Sequence, residues 1–291
     1  MRSRYVILLL GLAAVAAAIV IQRRGAQSHA VINPINTSVE VSYIANEGFL
    51  IASGEQKVLI DALVREGVKP YPVPSPSTRE KLEKAQSPFD GVDLVLATHF
   101  HPDHFDPLAV AEHLTNNPQA RFISTNQSVT KLKSAFNRYE EIESRVTGLL
   151  PKEGERTNLT YSGIKLQILN IHHGRNRPFE NLGLLFEVGG RRFLHIGDSQ
   201  ASADDFKSYG LVKDRIDVAF IPYWYFLSDD WKQAVREHLK PVQIVVMHLP
   251  VLSEKSEYIE KRGGWTKVFS DLKAEFPNAI IFEREMEKKI F

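Results

Sequence analysis

Four side chains of types that bind divalent metal ions lie within six consecutive residues of this chain: His99, His101, Asp103 and His104. Imidazole and carboxylate groups both suit zinc, iron, nickel and manganese. Side chains two residues apart in an extended segment share a face, so His99 and His101 can bind one ion. Asp103 and His104 follow a turn at Pro102 and can face a second ion. The alternative is a polar loop that happens to be rich in histidine.

The element that must position this segment is the apolar run from Val92 to Ala97, which predicts a buried strand. Loops at strand ends often carry functional side chains. Further candidate ligands follow other strand-like stretches: the pair His172-His173 after residues 166–171, Asp198 after residues 191–196, and His248 after residues 243–247. Four loops that begin at the carboxyl ends of strands therefore carry side chains able to bind metal.

The composition is that of an ordinary globular protein of 291 residues, with 43% hydrophobic and 24% charged residues. A formal net charge of +1 gives no reason to expect a nucleic-acid partner. The chain contains no cysteine, which excludes disulfides and thiolate ligands. Any metal site must therefore be built from histidine, aspartate and glutamate.

The remaining pattern predicts strands with interspersed helices. Strands are expected at residues 39–45, 48–54, 56–61, 92–97, 121–125, 159–169, 182–188, 191–196, 217–222, 243–247 and 279–282. Helices are expected at residues 107–114, 128–136, 228–239 and 265–276. The segment from Val64 to Pro88 contains five prolines and predicts a loop near the rim of the site. Asp61, at the end of a predicted strand, is expected to cap or brace a loop rather than to bind metal.

The first thirty residues differ from the rest. An apolar run at residues 5–21 follows Arg2 and Arg4 and precedes Arg23 and Arg24, and no acidic residue occurs before Glu40. Residues 1–30 are therefore expected to be a signal peptide or an N-terminal membrane anchor, residues 31–38 a linker, and residues 39–291 the folded domain.

The flanking basic residues favour an amino terminus inside and a catalytic domain outside, either secreted or periplasmic or anchored in the membrane through residues 5–21. Cleavage of the segment and its retention are both open. Import into an organelle is also open, since the start of the chain bears arginine and lacks acidic residues.

With its candidate ligands in this order, the chain resembles the metallo-β-lactamase superfamily. The family signature Thr-His-x-His-x-Asp-His matches residues 98–104. Gly197-Asp198 after a hairpin and Met247-His248 near the end look most like the branch of metal-dependent hydrolases containing ascorbate-6-phosphate lactonase and N-acylphosphatidylethanolamine-hydrolysing phospholipase D. The resemblance covers about residues 39–282. It implies an α/β (α+β) fold, the four-layer αββα sandwich, with the metals at one edge of the two sheets.

The resemblance also implies two metal positions. The ligands would be His99, His101 and a histidine of the His172-His173 pair for one ion, and Asp103, His104 and His248 for the other, with Asp198 bridging both. His173 is preferred, because the family places a glycine after this ligand and Gly174 follows it. His172 would then be a neighbour or a supporting group.

The chemistry expected from such a site is hydrolysis. Two divalent ions about 3.5–4 Å apart hold a bridging water as hydroxide near neutral pH and polarise a carbonyl or phosphoryl oxygen. Asp103 and Asp198 are the expected catalytic carboxylates. Zinc is the favoured metal, with manganese, iron and nickel open. The expected substrate is a phosphodiester, lactone or related ester, either a small molecule or a lipid-like one in view of the N-terminal segment.

Two other functions stay open: a binding protein that keeps the metal for stability, and a redox enzyme with a diiron version of the site. The complete ligand set argues against the first. Hydrolysis of β-lactams is not expected, because the signature is shared far more widely than that reaction and a fold does not determine a substrate.

Several side chains near the predicted ligands are candidates for substrate binding or support. Arg175 and Arg177 could clamp a phosphate or carboxylate, or be solvated loop charges. Tyr223 and Tyr225, with Trp224 between them, could line an apolar pocket or pack in the core. His195 could hydrogen-bond a metal ligand or be an ordinary buried strand histidine.

Overall fold

The computed structural model describes residues 38–254 and 256–291. The predicted signal peptide or membrane anchor at residues 1–30, and all but the last residue of the predicted linker, lie outside the described residues. Within the part of the chain that is described, no helix is long and apolar enough to cross a membrane.

The described residues form fourteen strands and seven α-helices. The strands are β1 (Glu40–Ala45), β2 (Gly48–Ser53), β3 (Gln56–Ile60), β4 (Leu94–Leu96), β5 (Arg121–Ser124), β6 (Val146–Gly148), β7 (Arg156–Tyr161), β8 (Ile164–Asn170), β9 (Leu182–Val188), β10 (Arg191–His195), β11 (Val218–Pro222), β12 (Gln243–Met247), β13 (Ala279–Ile281) and β14 (Lys288–Ile290). The helices are α1 (Pro76–Glu83), α2 (Pro107–Asn116), α3 (Asn126–Ala135), α4 (Ala203–Lys207), α5 (Asp229–Gln233), α6 (Glu257–Glu260) and α7 (Gly264–Glu275). A π-helical segment, Ala234–Leu239, continues α5.

The strands form two seven-stranded mixed sheets. The first has the order β14-β1-β2-β3-β4-β5-β6, and the second has the order β13-β12-β11-β10-β9-β8-β7. In each sheet one half is antiparallel and the other half parallel: β3 to β6 pair in parallel, as do β10 to β13. Two mixed sheets flanked by helices confirm the predicted four-layer sandwich.

Strand β4, in the middle part of the first sheet, is buried on both faces. Leu94 and Leu96 pack in the core that both sheets share, whereas Val95 points the other way and packs in a second core with α1, α2 and α3. Because successive side chains of a strand point to opposite faces, one short apolar strand contributes to both layers. This explains why β4 is an apolar run rather than an alternating pattern.

Helix α2, which follows the signature segment, begins as the sequence predicts. Asp106 caps it, its carboxylate accepting hydrogen bonds from the backbone N–H groups of Leu108 and Ala109, and Pro107 occupies the first turn. The helix runs two residues beyond the predicted end, to Asn116. The start of the helix therefore determines where the preceding signature segment ends.

Two strands are absent from the sequence prediction, the short strand β6 and the strand β14. Strand β14 pairs antiparallel with β1 at the edge of the first sheet. Its sequence, Lys288-Lys-Ile290, has no apolar alternation, and an ion pair between Lys288 and Glu40 supplements the backbone hydrogen bonds that hold it to β1. The terminal strand predicted at residues 279–282 is β13, which belongs to the other sheet. The end of the chain therefore contributes one strand to each sheet.

Candidate functional site

The candidate ligands follow strands whose carboxyl ends share one edge of the sandwich. In the second sheet, β10 and β12 run parallel through β11, and β8 runs in the same direction because both it and β10 pair antiparallel with β9. His172-His173, Asp198 and His248 follow β8, β10 and β12. The signature segment follows β4 of the first sheet. Parallel strands thus gather distant parts of the sequence at one place.

Asp61 holds the signature segment in position from the neighbouring strand β3. Its Oδ1 accepts the backbone N–H of Thr98 at 2.7 Å, and its Oδ2 accepts the Thr98 hydroxyl at 2.7 Å. Asp61 is buried and has a φ of 46°, in the left-handed region, where the chain turns out of the sheet. The carboxylate braces the loop, which is the role that the sequence analysis expected for it.

The first cluster of candidate ligands consists of His99, His101, His173 and Asp198, whose nitrogen and oxygen atoms lie within 4.8 Å of one another. Nε2 of His99 is 2.8 Å from Nδ1 of His101. Nε2 of His173 is 3.1 Å from Oδ2 of Asp198, and the same oxygen is 3.7 Å from Nε2 of His99. Three loops that are far apart in sequence therefore present one set of ligands.

The second cluster consists of Asp103, His104 and His248. Oδ2 of Asp103 is 3.6 Å from Nε2 of His104 and 3.5 Å from Nε2 of His248. His248 has a φ of 56°, a left-handed conformation that turns the chain sharply at the end of β12. Such local strain is common at functional sites, where the surrounding structure holds it.

Asp198 lies between the two clusters. Its Oδ1 is 3.0 Å from Nε2 of His248 and 3.3 Å from Nε2 of His104, whereas its Oδ2 faces His173. The two oxygens of one carboxylate therefore point to different clusters. This arrangement is the one expected of a side chain that bridges two ions.

Buried polar atoms without hydrogen-bond partners at the centre of the site indicate whether a cation fits there. Nε2 of His104, Nε2 of His248 and Oδ1 of Asp198 are all buried, and none of them has a hydrogen-bond partner. Leaving buried polar atoms unpaired costs free energy, so native proteins rarely do so. A divalent cation among these atoms would satisfy all three, so the donor set fits a metal.

The hydrogen bonds of His104 determine which of its nitrogens faces the cluster. Nδ1 is 2.9 Å from Oδ2 of Asp61, so the proton lies on Nδ1 and the lone pair of Nε2 points towards Asp198. Although burial opposes protonation, Asp198 and Asp61 together raise the pKa of His104 well above its usual value. In the protonated ring Nε2 carries a second proton, and a metal ion at Nε2 would have to displace it.

Burial sets the protonation of the first cluster differently. It lowers the pKa of His99 well below its usual range, and it lowers the pKa of His101 to about 4, with His173 adding to the shift. Both rings are therefore neutral near neutral pH. A neutral imidazole has the free lone pair that metal binding requires.

Glu47 is a buried carboxylic acid at this site that the sequence analysis did not identify. It lies in the turn between β1 and β2, and its Oε2 is 3.5 Å from Nδ1 of His104. Both carboxylate oxygens lack a hydrogen-bond partner, and burial followed by the charge of Asp198 raises the pKa of Glu47 well above its usual value. A turn residue beside a glycine is typical of an exposed hairpin, so the sequence carries no signal for its burial.

The two histidines assigned as supporting groups lie outside the clusters. His172 points away from His173, and its Nε2 is 3.0 Å from Oδ2 of Asp205 on α4. His195 donates from Nε2 to the carbonyl of Glu47 and accepts the N–H of Gly197 at Nδ1. Neither ring hydrogen-bonds a candidate ligand. His195 is the satisfied strand histidine of the alternative interpretation, and His172 supports α4 rather than the clusters.

A pocket of about 450 Å³ opens over the two clusters. Besides candidate ligands it is lined by Val68, Tyr71, Arg177, Gln200 and Trp224. Tyr71 comes from the proline-rich loop, and its ring meets that of His248 edge-on at 4.0 Å between centroids. The proline-rich segment therefore does lie at the rim of the site, although the sequence analysis did not single out Tyr71.

Three of the four candidate substrate-binding residues do not reach this pocket, which corrects the prediction. The guanidinium of Arg175 is bound by Asp205, next to Glu153. Tyr225 is fully buried, and its hydroxyl bonds Ser199 and Ala201. Tyr223 packs against Trp265 instead.

The local backbone geometry explains why Tyr223 and Tyr225 do not line the pocket. Residues 223–226 form a 3-10 turn rather than a strand, so Trp224 is the aromatic residue that faces His248, at 4.9 Å between ring centroids. Of the four side chains, only Arg177 lines the pocket.

Comparison with known proteins agrees with this geometry. The model of the beta-lactamase superfamily domain matches residues 56–259. A UPF0173 metal-dependent hydrolase of Staphylococcus aureus is 24% identical over 224 residues, which is 72% of this chain and 85% of that protein. A superfamily model that spans most of the folded domain shows that the likeness is not limited to the histidine-rich segment.

Solved structures share the fold. Igni18, a metallo hydrolase from the archaeon Ignicoccus hospitalis, superposes with a TM-score of 0.55 at 19% identity, covering 88% of this chain and 99% of that one. CmlA, a diiron β-hydroxylase from Streptomyces venezuelae, has a TM-score of 0.55 at 14% identity and covers 87% of this chain and 54% of its own. The two neighbours carry different chemistry on one fold, so the fold alone does not determine the metal or the reaction.

Proposed function

The chain belongs to the beta-lactamase superfamily, and we propose that this metal-dependent hydrolase binds two divalent ions, most simply zinc, to cleave a phosphodiester, lactone or related ester. The proposed ligands are His99, His101, His173 and Oδ2 of Asp198 for one ion, and Asp103, His104, His248 and Oδ1 of Asp198 for the other. With no cysteine in the chain, nitrogen and oxygen donors make up the whole set.

The observation that carries the proposal is the position of Asp198. Its two oxygens lie 3.0–3.3 Å from ring nitrogens of His248, His104 and His173, which belong to different clusters. A single-ion site would leave one set of nitrogens without a ligand role. Unpaired buried atoms on the side of the second cluster support a second ion.

Bound divalent ions would acidify a water molecule and polarise the oxygen of the scissile group. Two aspartates of the chain would position the attacking water and a candidate ligand. Asp103 is positioned to accept a hydrogen bond from the attacking water, since its Oδ2 faces the pocket near His248 and the Asn46 amide donates to it at 3.4 Å. Asp61 keeps the His104 ring in the orientation in which Nε2 faces the ion.

The charge of the site supports an anionic or ester-like substrate. Neutral imidazoles and the carboxylates of Asp103 and Asp198 would leave two divalent ions with an excess of positive charge. Arg177 adds a further cation at the pocket wall, and Trp224 and Tyr71 provide flat apolar surfaces beside it. A pocket of about 450 Å³ has the size of a small-molecule site rather than a nucleic-acid groove.

We also propose that the enzyme is exported, with residues 5–21 serving as a cleaved signal or a retained anchor. The support is compositional: an uncharged apolar run between two pairs of arginines, with no acidic residue before Glu40. Fractionation of cells that make the full-length chain distinguishes the two forms. A soluble protein of full length in the cytoplasm would contradict export.

The test of the proposed reaction combines metal analysis with turnover. Purified full-length protein should contain about two equivalents of zinc or another divalent metal. It should hydrolyse at least one of bis(p-nitrophenyl) phosphate, a γ-lactone and p-nitrophenyl acetate. The double variant His101→Ala, Asp198→Ala should lose both the metal and the turnover, because it removes a ligand from the first ion and the shared ligand from both.

A matched control is His238→Ala, which removes a histidine of the π-helical segment and leaves both clusters intact. This control should retain metal and turnover. Hydrolysis that persists in the double variant at the rate of the control would refute the proposed site. Two equivalents of iron with oxidation instead of hydrolysis would favour the redox alternative.

A further inference from the structure

A second cavity of about 760 Å³ lies beside the metal pocket and is larger than it. Its lining is mostly apolar. Tyr43, Phe282 and Phe269 contribute aromatic surfaces, and the segments Pro72–Val73 and Leu249–Leu252 contribute aliphatic ones. Tyr43 stacks on Phe282 with 5.8 Å between ring centroids. We call this cavity the apolar groove.

Exposed aliphatic side chains concentrate around the two cavities. The described residues include nine large hydrophobic side chains that are exposed, and three of them, Val73, Val251 and Leu252, line the apolar groove. A fourth, Val68, lines the metal pocket. Scattered exposed apolar residues are ordinary, but a contiguous set around a cavity indicates a binding surface.

The same two segments of the chain line both the groove and the metal pocket. Tyr71 lines the metal pocket while Pro72 and Val73 line the groove, and His248 lines the metal pocket while Leu249 lines the groove. A hydrogen bond of 2.9 Å from the N–H of Val251 to the carbonyl of Pro70 joins these two segments. Ala45 and Pro72 of the groove also lie near Asp103 of the metal pocket, around a gap too small to hold a water molecule.

The charged side chains around the groove and the metal pocket indicate how a ligand would lie across the two cavities. Glu283 and Glu285 stand at the rim of the groove, and Glu285 accepts the backbone N–H of Ser75 at 2.8 Å. These carboxylates disfavour an anionic group in the groove, whereas the metal pocket holds Arg177 and the candidate ligands. An anionic or ester group therefore belongs at the metal pocket, and the uncharged part of the same molecule belongs in the groove.

We propose that the apolar groove binds an aliphatic chain of the substrate, so that the substrate is an amphiphile with its ester or phosphate group at the metals. This inference rests on the proposed hydrolytic function and adds to it the class of substrate. The groove and the metal pocket adjoin where Tyr71 precedes Pro72 and His248 precedes Leu249, so a single chain attached to a group in the pocket can enter the groove across this shared boundary.

The experiment measures binding of alkyl phosphates to the full-length, metal-loaded protein by calorimetry, below the concentration at which they form micelles. Methyl, butyl, hexyl and decyl phosphate share a head group and differ only in chain length. Each methylene that enters the groove should tighten binding about fourfold, until the groove is filled. The stoichiometry should be one ligand per chain.

Val73→Asp and Leu252→Asp place a charge in the groove. Both side chains are more than one-third exposed, at 39% and 48%, so the folded core tolerates them. These variants should bind methyl phosphate as the wild type does but should lose the gain with chain length. The control Val242→Asp changes a side chain that is 67% exposed and outside the groove, and it should behave as the wild type.

The outcomes separate the two proposals. Equal affinity for all four phosphates in a protein that hydrolyses its test substrates would overturn the groove assignment and leave the hydrolase intact. Chain-length dependence that survives in Val73→Asp and Leu252→Asp would also overturn it. A protein without turnover whose affinity still rises with chain length would refute the proposed reaction and support the groove.

Discussion

Nδ1 of His104 lies 2.9 Å from Oδ2 of Asp61, while the opposite nitrogen of the same ring faces Asp198 at 3.3 Å. Asp61 also accepts the N–H and the hydroxyl of Thr98, the residue that opens the signature segment. One buried carboxylate thus orients both a candidate ligand and the loop that carries it. Metal sites depend on such supporting contacts nearly as much as on the ligands themselves.

Replacing Asp61 by asparagine should therefore weaken metal binding without removing a ligand. The amide can still accept one hydrogen bond from Thr98, but it no longer provides the charge that holds the proton of His104 on Nδ1. We expect a loss of metal affinity of about 10–100-fold. Competition with a chromophoric chelator measures it.

The matched control for this change is Asp93→Asn. Asp93 also braces a strand, its Oδ2 accepting the N–H of Lys57 at 3.0 Å, but it does not contact either cluster. Its metal affinity should equal that of the wild type. A chelator titration in which both variants behave alike would show that Asp61 has no specific part in orienting His104.

Neighbouring histidines with different surroundings provide a second test. His173→Ala should bind about one ion fewer and lose hydrolysis by at least about 100-fold, because its Nε2 lies in the first cluster. His172→Ala should keep both ions, since that ring contacts Asp205. Metal content by atomic emission and turnover by product release check both variants. Loss of metal in His172→Ala with retention in His173→Ala would reverse the assignment.

Arg175 and Arg177 form a similar pair for substrate binding. Arg177 lines the metal pocket, whereas the guanidinium of Arg175 is held by Asp205 and Glu153. Arg177→Ala should raise KM for an anionic phosphodiester about tenfold, the loss of one charge-assisted contact, and should change KM little for a neutral lactone. Arg175→Ala should leave both values unchanged. Equal effects of the two substitutions in initial-rate measurements would contradict this assignment.

Protonation of His113 should contribute to the pH dependence of the free energy of unfolding. This buried ring on α2 donates from Nδ1 to the carbonyl of Leu82 at 2.6 Å, and Nε2 lies 3.4 Å from the Asn117 amide. Burial lowers its pKa below the usual value. The unfolded chain, in which histidine titrates near about pH 6.5, therefore binds this proton first as pH falls. The free energy of unfolding should decrease below that pH until the folded pKa is reached.

His113→Gln removes this group and should flatten the decrease. Urea unfolding at about pH 5.5 and about pH 7.5 gives the change in the free energy of unfolding with pH for each protein. This change should be smaller in the variant than in the wild type. The other histidines contribute equally to both proteins, so they cancel in the comparison. Parallel pH profiles would mean that His113 titrates alike in the folded and unfolded chains.

The strands and loops that carry the clusters could be predicted from local sequence, whereas the sandwich fold was implied by the resemblance to the metallo-β-lactamase superfamily. Apolar runs such as residues 92–97 mark buried strands, and a potential ligand directly after such a run lies at a strand end. The resemblance implied that candidate ligands from separate loops meet, and the structure brings these residues together. Their role as metal ligands stays a prediction that the metal analysis above tests.

The direction of individual side chains could not be predicted in this way. Tyr225 is buried in the core and Tyr223 packs against Trp265, while Trp224 faces His248, because a 3-10 turn replaces the continuation of β11. Arg175 turns towards Asp205, which lies thirty residues further along the chain. Backbone conformation and distant charges decide these directions, and neither is visible in the local pattern.

The sequence by itself determined which donor atoms this protein can offer to a metal, since a chain without cysteine limits such a site to the nitrogen and oxygen atoms of its histidines and carboxylates. Only the tertiary structure decided which groups surround that chemistry. Glu47 becomes a buried neighbour of His104, and Tyr71 covers His248, because packing joins elements that are far apart in the chain. The apolar groove arises for the same reason: its walls come from both ends of the folded domain, and no single stretch of sequence encodes it.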